Sequence, residues 1–165
     1  MEINYLCLFC DTKSLYVSSL LLLFVKVLIK KVVDDAILPS YAHEGDAGMD
    51  VYSAENKIIS PGERTLVRTG VCFAIPKGYV GLVMDKSGIV SKTGLKTVAG
   101  VIDSGYRGEL LVSLIHLGKE PYEVKKNVKI AQMLVKTVES PELELVESLD
   151  ETARGNGGFG STGLQ

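Results

Sequence analysis

"GVCFAIPKGYVGLVM", residues 70 to 84, settles the fold class of this chain. Two six-residue runs, 70 to 75 and 79 to 84, carry valine, phenylalanine, tyrosine and leucine on either side of Pro76, Lys77 and Gly78. Branched and aromatic side chains fit a pleated, half-buried surface, and proline followed closely by glycine bends a chain sharply. The stretch reads as strand, turn, strand. The same texture extends outward in both directions, in "KVLIKKVV" (26 to 33), "MDVYSA" (49 to 54), "ELLVSLI" (109 to 115), "IAQMLVKTV" (130 to 138) and "ELELV" (142 to 146). Further turn signals lie at "SPGE" (60 to 63) and "LGKEP" (117 to 121). No segment after Lys26 keeps a helical period over three turns, so the expectation is an all-β, mainly antiparallel domain: a sandwich, jelly roll or barrel. At most one short helix is expected, near Ser87 to Thr93. No internal repeat and no splitting linker precede a C-terminal arm starting around Asp150.

The chain has 165 residues, 46% of them hydrophobic, which is enough for one domain with a real core. Eighteen basic against twenty acidic residues leave a formal charge of -2. No global field draws in nucleic acid or an acidic membrane surface, so any anion must be caught locally. Cys7, Cys10 and Cys72 are odd in number and sparse, which argues against a disulfide framework and fits a reducing, cytoplasmic setting. Cys7 and Cys10 form C-L-F-C, but neither a second pair nor a βαβ setting accompanies them, and they read as ordinary thiols.

Residues 1 to 24 differ in character from the rest. "LYVSSLLLLFV", 15 to 25, is shorter than the roughly twenty apolar residues that span a bilayer, and it lacks the basic lead and cleavage site of a signal peptide. A weak membrane anchor, a helix packed on the domain or on an oligomer partner, and sequence upstream of the true start all remain open, and the last is favoured. On that reading translation starts at Val25 from a valine codon. An intact mass of the natural protein that includes residues 1 to 24 would refute it.

Four internal stretches hold the residues suited to chemistry. In "AGVIDSGYRGEL", 99 to 110, a strand-like run leads to Asp103 and Tyr106 and reads as a hairpin, or as a plain turn shaped by Asp and Gly. In "EGDAGMDV", 44 to 51, Asp46 and Asp50 suit Mg²⁺ and its waters, or simple Asx-turns. In "DKSGIVSKTG", 85 to 94, Lys86, Ser87 and Gly88 place a cation, a hydroxyl and free N–H groups where a phosphate would fit, or they cap a helix. Gln132, polar inside the apolar run "KIAQMLV", must find a hydrogen-bond partner. A fifth stretch, "RGNGGFGSTG" (154 to 163), has five glycines in ten residues and is a loop or mobile tail. As a P-loop it fails, because Ser161 stands at the lysine position and no helix can follow it. "HEGDA", 43 to 47, fails as a metalloprotease motif because Ala47 replaces the second histidine. His43 reads as a loop residue and His116 as a satisfied strand residue.

In order and spacing, "AGMD", "KSG", "GVIDSGYRG", "KIAQ" and "RGNGGFGSTG" resemble the five motifs of the trimeric dUTPases, over about residues 26 to 165. The resemblance implies a jelly-roll-like β-clip or barrel domain (25 to 149), a flexible Gly-rich arm (150 to 165) and a homotrimer. It also implies hydrolysis of dUTP, with Mg²⁺, to dUMP and pyrophosphate, which keeps uracil out of DNA and supplies dUMP for dTMP synthesis. By resemblance Asp103 holds the attacking water and acts as general base, and Tyr106 lies against the deoxyribose and excludes a 2′-hydroxyl. Backbone groups of Gly100, Val101 and Ile102 pair with the uracil edge. Ser87, with Gly88, bonds the phosphates, Lys86 replaces the more usual arginine, and Gln132 binds phosphate or steadies the site. Asp50 and Asp46 hold Mg²⁺ through water. In the arm Phe159 stacks on uracil, Arg154, Ser161 and Thr162 hold the γ-phosphate, and Gly160 lets the backbone wrap closely. Each active site is implied to be shared, with Asp103 and Tyr106 from one subunit, Ser87 and Gln132 from a second and the arm from a third.

Two alternatives share the scaffold. A dCTP deaminase carries its catalytic glutamate ten residues after the corresponding aspartate, where this chain has Ser113, and it lacks the arm. A non-catalytic nucleotide-binding regulator would be expected to lose Asp103 or the arm, and both are present.

Overall fold

The computed structural model describes residues 25–158 and 161. In chain order it contains β1 (Leu28–Lys31), β2 (Met49–Tyr52), β3 (Lys57–Ile59), β4 (Arg64–Ala74), β5 (Tyr79–Met84), α1 (Ser87–Thr93), β6 (Leu95–Thr97), β7 (Val101–Ile102), β8 (Glu109–His116), β9 (Tyr122–Val124) and β10 (Lys129–Thr137). All the ladders are antiparallel. One sheet runs β1-β4-β8-β6, a second runs β2-β10-β5-β7, and β3 pairs with β9. The expected all-β class, the turn at Pro76 to Gly78 and the short helix at Ser87–Thr93 are all present.

Alternation explains why β8 is a strand. Leu110, Val112, Leu114 and His116 are buried while the residues between them are not, as the two-residue repeat of a pleated strand requires. Val67, Val71 and Phe73 of β4, Val51 of β2, and Ala131 and Met133 of β10 complete the core with Ile59, Ile75 and Val83. Full burial of each valine or leucine is worth about 2 kcal/mol. In β4 the alternation breaks at Thr69, Gly70 and Val71, all buried, where a register shift sets three residues between Arg68 and Cys72 against Leu110 alone. Glu109 closes this bulge, accepting the Gly70 N–H at 2.7 Å and pairing with Arg68 at 3.0 Å. His116 is satisfied as expected: its Nε2 lies 2.6 Å from the Glu120 carbonyl oxygen.

Two expectations are corrected. The stretch 99 to 110 is not a hairpin: β7 pairs with β5, whereas β8 pairs with β4 and β6, so Asp103 to Gly108 form a corner between two sheets. "ELELV" is not a strand, because after Thr137 the chain leaves the sheet, and residues 138 to 150 are exposed without strand or helix. Its leucines find no opposing face among the described residues, and alternation alone does not make a strand. Conversely β3, β6 and β9, three residues each, are too short to announce themselves. Among the described residues no helix is long and apolar enough to cross a membrane. The segment 1 to 24 lies outside the described residues.

Candidate active site

The end of β5 organises the first part of the site. Met84, its last residue, stands opposite Gln132 on β10, and Gln132 in turn stands opposite Asp50 on β2. Residues directly opposed across a ladder share a face, so Asp50 and Gln132 point the same way. The chain then runs through Asp85 and Lys86 into α1, which starts at Ser87 without a side-chain cap and leaves Ser87 and Gly88 exposed. Gln132 finds the partner its burial demands: Nε2 donates to the Asp85 carbonyl at 2.8 Å. A Cβ on Gly48 would stand 2.6 Å from Gln132 Oε1, so a side chain there would displace the Gln132 amide. Asp46, Gly48, Asp50, Lys86 and Gln132 thereby line one cleft of about 300 Å³.

Asp50 is its electrostatic centre. The residue is 2% exposed, with Oδ1 2.6 Å from Lys86 Nζ and Oδ2 2.6 Å from Lys129 Nζ. Burial pushes its carboxyl up, but the Lys129 and Lys86 ammonium groups outweigh this and hold it below the usual carboxylate range. Asp50 raises Lys129 in return. Asp46 Oδ2 accepts the His43 N–H three residues back at 2.9 Å, not the forward N–H of the Asx-turn weighed from sequence.

The second part of the site lies at the other end of β5. Val101, Asp103 and Ser104 line a cleft of about 460 Å³ with Lys77, Tyr79 and Val80. β7 is docked by the Val83 N–H, which donates to the Gly100 carbonyl at 2.8 Å, and a Cβ on Gly100 would collide with the Val83 carbonyl oxygen. Ile102 opposes Gly81 and Val101 opposes Leu82, and the far side of β7 is a free sheet edge. Such an edge presents unpaired backbone donors and acceptors. The Asp103 carbonyl accepts the Tyr106 N–H at 3.1 Å, and the Tyr106 hydroxyl donates to the Glu109 carbonyl at 3.0 Å, the residue being 44% exposed.

No described residue of the arm lines either cleft. Arg154 donates from Nε to the Gly157 carbonyl at 2.8 Å, within its own turn. Ser161 is exposed, and Phe159, Gly160 and Thr162 lie outside the described residues. The structure thus gathers Asp46, Asp50, Lys86 and Gln132 at one place and Val101 and Asp103 at another. Two organising residues were not singled out from sequence. Asp85 binds Thr97 N at 2.6 Å, Thr97 Oγ1 at 2.7 Å and Lys96 Nζ at 2.5 Å, and Lys129 pairs with Asp50. Both are charged residues at the head of stretches already marked, a signal for their presence but not for the direction in which Lys129 points.

The acidic pair does not form a direct cation site. Both Asp50 oxygens face ammonium groups, Asp46 gives one oxygen to a backbone N–H, and no three metal-ligating side chains cluster among the described residues. This donor set fits an ion met through its water shell.

A sequence model of the dUTPase family matches residues 34–163. Among curated relatives, the deoxyuridine 5'-triphosphate nucleotidohydrolase of Clostridioides difficile is 47% identical over 138 residues, covering 82% of this chain and 96% of the relative. That of Mycobacterium marinum is 54% identical over 134 residues, covering 76% and 87%. Among solved structures, Staphylococcus bacteriophage 80alpha dUTPase with dUPNHPP is similar at a TM-score of 0.80 and 31% identity, covering 84% of this chain and 99% of that one. A mutant dUTPase from phage phi11 of S. aureus, described as revealing the coordination of a structural Mg(II) ion, is similar at a TM-score of 0.71 and 29% identity, covering 74% and 97%. With the family model spanning most of its length and relatives near half identity throughout the domain, this chain belongs to the dUTPase family.

Proposed function

We propose that this protein hydrolyses dUTP to dUMP and pyrophosphate, with its two clefts serving opposite ends of the nucleotide. The observation that carries the reading is the free edge of β7 beside Asp103, set against a lysine-bearing cleft at the far end of β5. Backbone donors and acceptors at Gly100, Val101 and Ile102 would pair with the uracil edge as a complementary strand would, and Tyr106 would exclude a 2′-hydroxyl. Asp103 would hold a water in line with the α-phosphorus, take its proton as the P–O bond forms, and leave pyrophosphate to depart. Lys86, Ser87 and Gly88 would bind the phosphates, and Gln132 would fix that loop through Asp85. As a point charge Lys86 gives up the bidentate fork of an arginine.

Mg²⁺ would arrive on the triphosphate, with Asp46 and Asp50 meeting it only through water. Bound there, it neutralises phosphate charge. The arm would close over the nucleotide through Arg154, Phe159, Ser161 and Thr162, shutting water from the reacting phosphate.

The spacing of the clefts supports sites shared between subunits. Tyr79 and Val80 open β5 beside Asp103, and Lys86 follows its end, so the six steps from Val80 to Lys86 span about 20 Å. General base and phosphate loop must meet at one phosphorus, within hydrogen-bond reach. One chain does not bring them there, and a homotrimer in which each site draws on several copies would.

The test is pyrophosphate release from dUTP, dCTP, dTTP and UTP with Mg²⁺. The full chain is expected to act on dUTP alone. Asp103→Asn should cost about 10²- to 10⁴-fold in kcat while keeping nucleotide binding. Truncation after Asp150 should abolish turnover without disturbing assembly. Binding of dUTP without cleavage by the intact chain would overturn the hydrolase reading.

A further inference from the structure

We infer that Lys129 is a positioning residue for the phosphate cleft: it keeps Asp50 neutralised so that the Lys86 ammonium is free to leave that carboxylate for an incoming triphosphate. The inference deepens the phosphate-cleft reading above and rests on it. Its first support is a bulge in β10. Lys129 opposes Tyr52 and Ala131 opposes Val51, so Ile130 is an extra residue with no partner on β2. In an uninterrupted strand Lys129, three residues from Gln132, would point to the opposite face. The extra residue restores it to the face of Tyr52, Asp50 and Gln132, while Ile130 and Ala131 both enter the core. Bulges commonly re-aim a side chain beside a functional site.

The second support is how the two lysines divide Asp50. Lys86 lies 2.6 Å from Oδ1 and also lines the cleft, whereas Lys129 lies 2.6 Å from Oδ2 and does not. The Asp50 side chain is 3% exposed with Lys86 in place, so a departing Lys86 leaves that charge to the few waters the cleft can bring to one oxygen. If Lys86 were its only counter-ion, every move of that ammonium toward phosphate would strand a buried charge, and substrate binding would bear the penalty. With Lys129 on the other oxygen, Asp50 remains paired when Lys86 turns into the cleft.

Steady-state hydrolysis of dUTP by the full chain with Mg²⁺ tests this, with Lys129→Gln, Lys129→Arg, Asp50→Asn and the double variant Asp50→Asn/Lys129→Gln. Lys129→Gln should raise KM about tenfold with kcat within about twofold, a loss of binding rather than of chemistry. Lys129→Arg should return KM to within about twofold, since it restores the charge. In the Asp50→Asn background Lys129→Gln should shift KM less than about twofold, because no carboxylate remains to neutralise. An unchanged KM for Lys129→Gln, or an equal rise in both backgrounds, would overturn the inference. Should Lys129→Gln alone fail to fold, the double variant against Asp50→Asn decides, and a difference above about threefold in KM sinks the idea. Failure of the hydrolase reading would be visible separately, as dUTP bound but not cleaved by the unaltered chain. The same comparisons made on dUTP affinity would then judge Lys129.

Discussion

Asp85 joins three stretches that are far apart in sequence. Its carboxylate holds Lys96 and Thr97 at the end of β6, and its carbonyl takes the amide of Gln132 from β10, just before Lys86 and Ser87 leave for the helix. Removing the side chain by Asp85→Ala leaves Thr97 donors unpaired in a part-buried site, and the expected loss is about 2 kcal/mol of unfolding free energy, read from a urea midpoint. The pH dependence has a definite sign. Burial pushes the Asp85 carboxyl up, but the Lys96 ammonium and the Thr97 hydroxyl and N–H together hold it below its ordinary value. A carboxyl lowered on folding stabilises above its unfolded pKa of about 3.9, and that contribution is lost as pH falls through the lower folded value. The gap in stability between the unaltered chain and Asp85→Asn should therefore be full at neutral pH and close only in acid, below about pH 4. A gap that stays constant down to about pH 2 would contradict this account.

At the scale of elements, β7 depends on one close approach. A Cβ at Gly100 would meet the backbone carbonyl of Val83, which no side-chain rotation can relieve. Gly100→Ala should push β7 off β5 and lower kcat/KM for dUTP about a hundredfold, because a shift of an ångström in a positioning element is enough. The melting temperature should move little, since β7 is two residues long and lies at the edge of its sheet. A large fall in melting temperature with unchanged kinetics would contradict this. The same elements show how far a sequence can be read. β5, β8, β10 and the second half of β4 were legible as alternating or continuous apolar runs, whereas Arg64 to Thr69 of β4 were not, because charged and polar residues interrupt the run there. β3, β6 and β9 were not, because three residues carry no period, and their pairing is imposed by neighbours. The site motifs were legible as residue types, and Gln132 met the hydrogen-bond demand its setting predicts. Lys129 was not, because its orientation depends on a bulge at Ile130 that leaves no mark in composition or spacing.

For the whole molecule, the single chain leaves apolar surface that calls for cover. Leu143, Leu145 and Leu149 are 92%, 100% and 83% exposed on a segment that joins no sheet. Exposed apolar runs of this kind mark interaction sites, and a second copy is the partner that the proposed sharing of sites calls for. Light scattering should return three times the chain mass. The pair Leu143→Asp and Leu145→Asp should lower that mass and dUTP turnover together, whereas loss of turnover from an intact trimer would detach this segment from assembly. The free edge of β7 bears on how such an enzyme changes over time. If the base is read by main-chain groups, codon changes at Val101 and Ile102 alter what surrounds the recognition surface but leave its donors and acceptors in place. An inhibitor built to that edge would address a pattern that genetic drift at those positions does not rewrite, whereas one built to the lysine cleft would face side chains that single substitutions can remove.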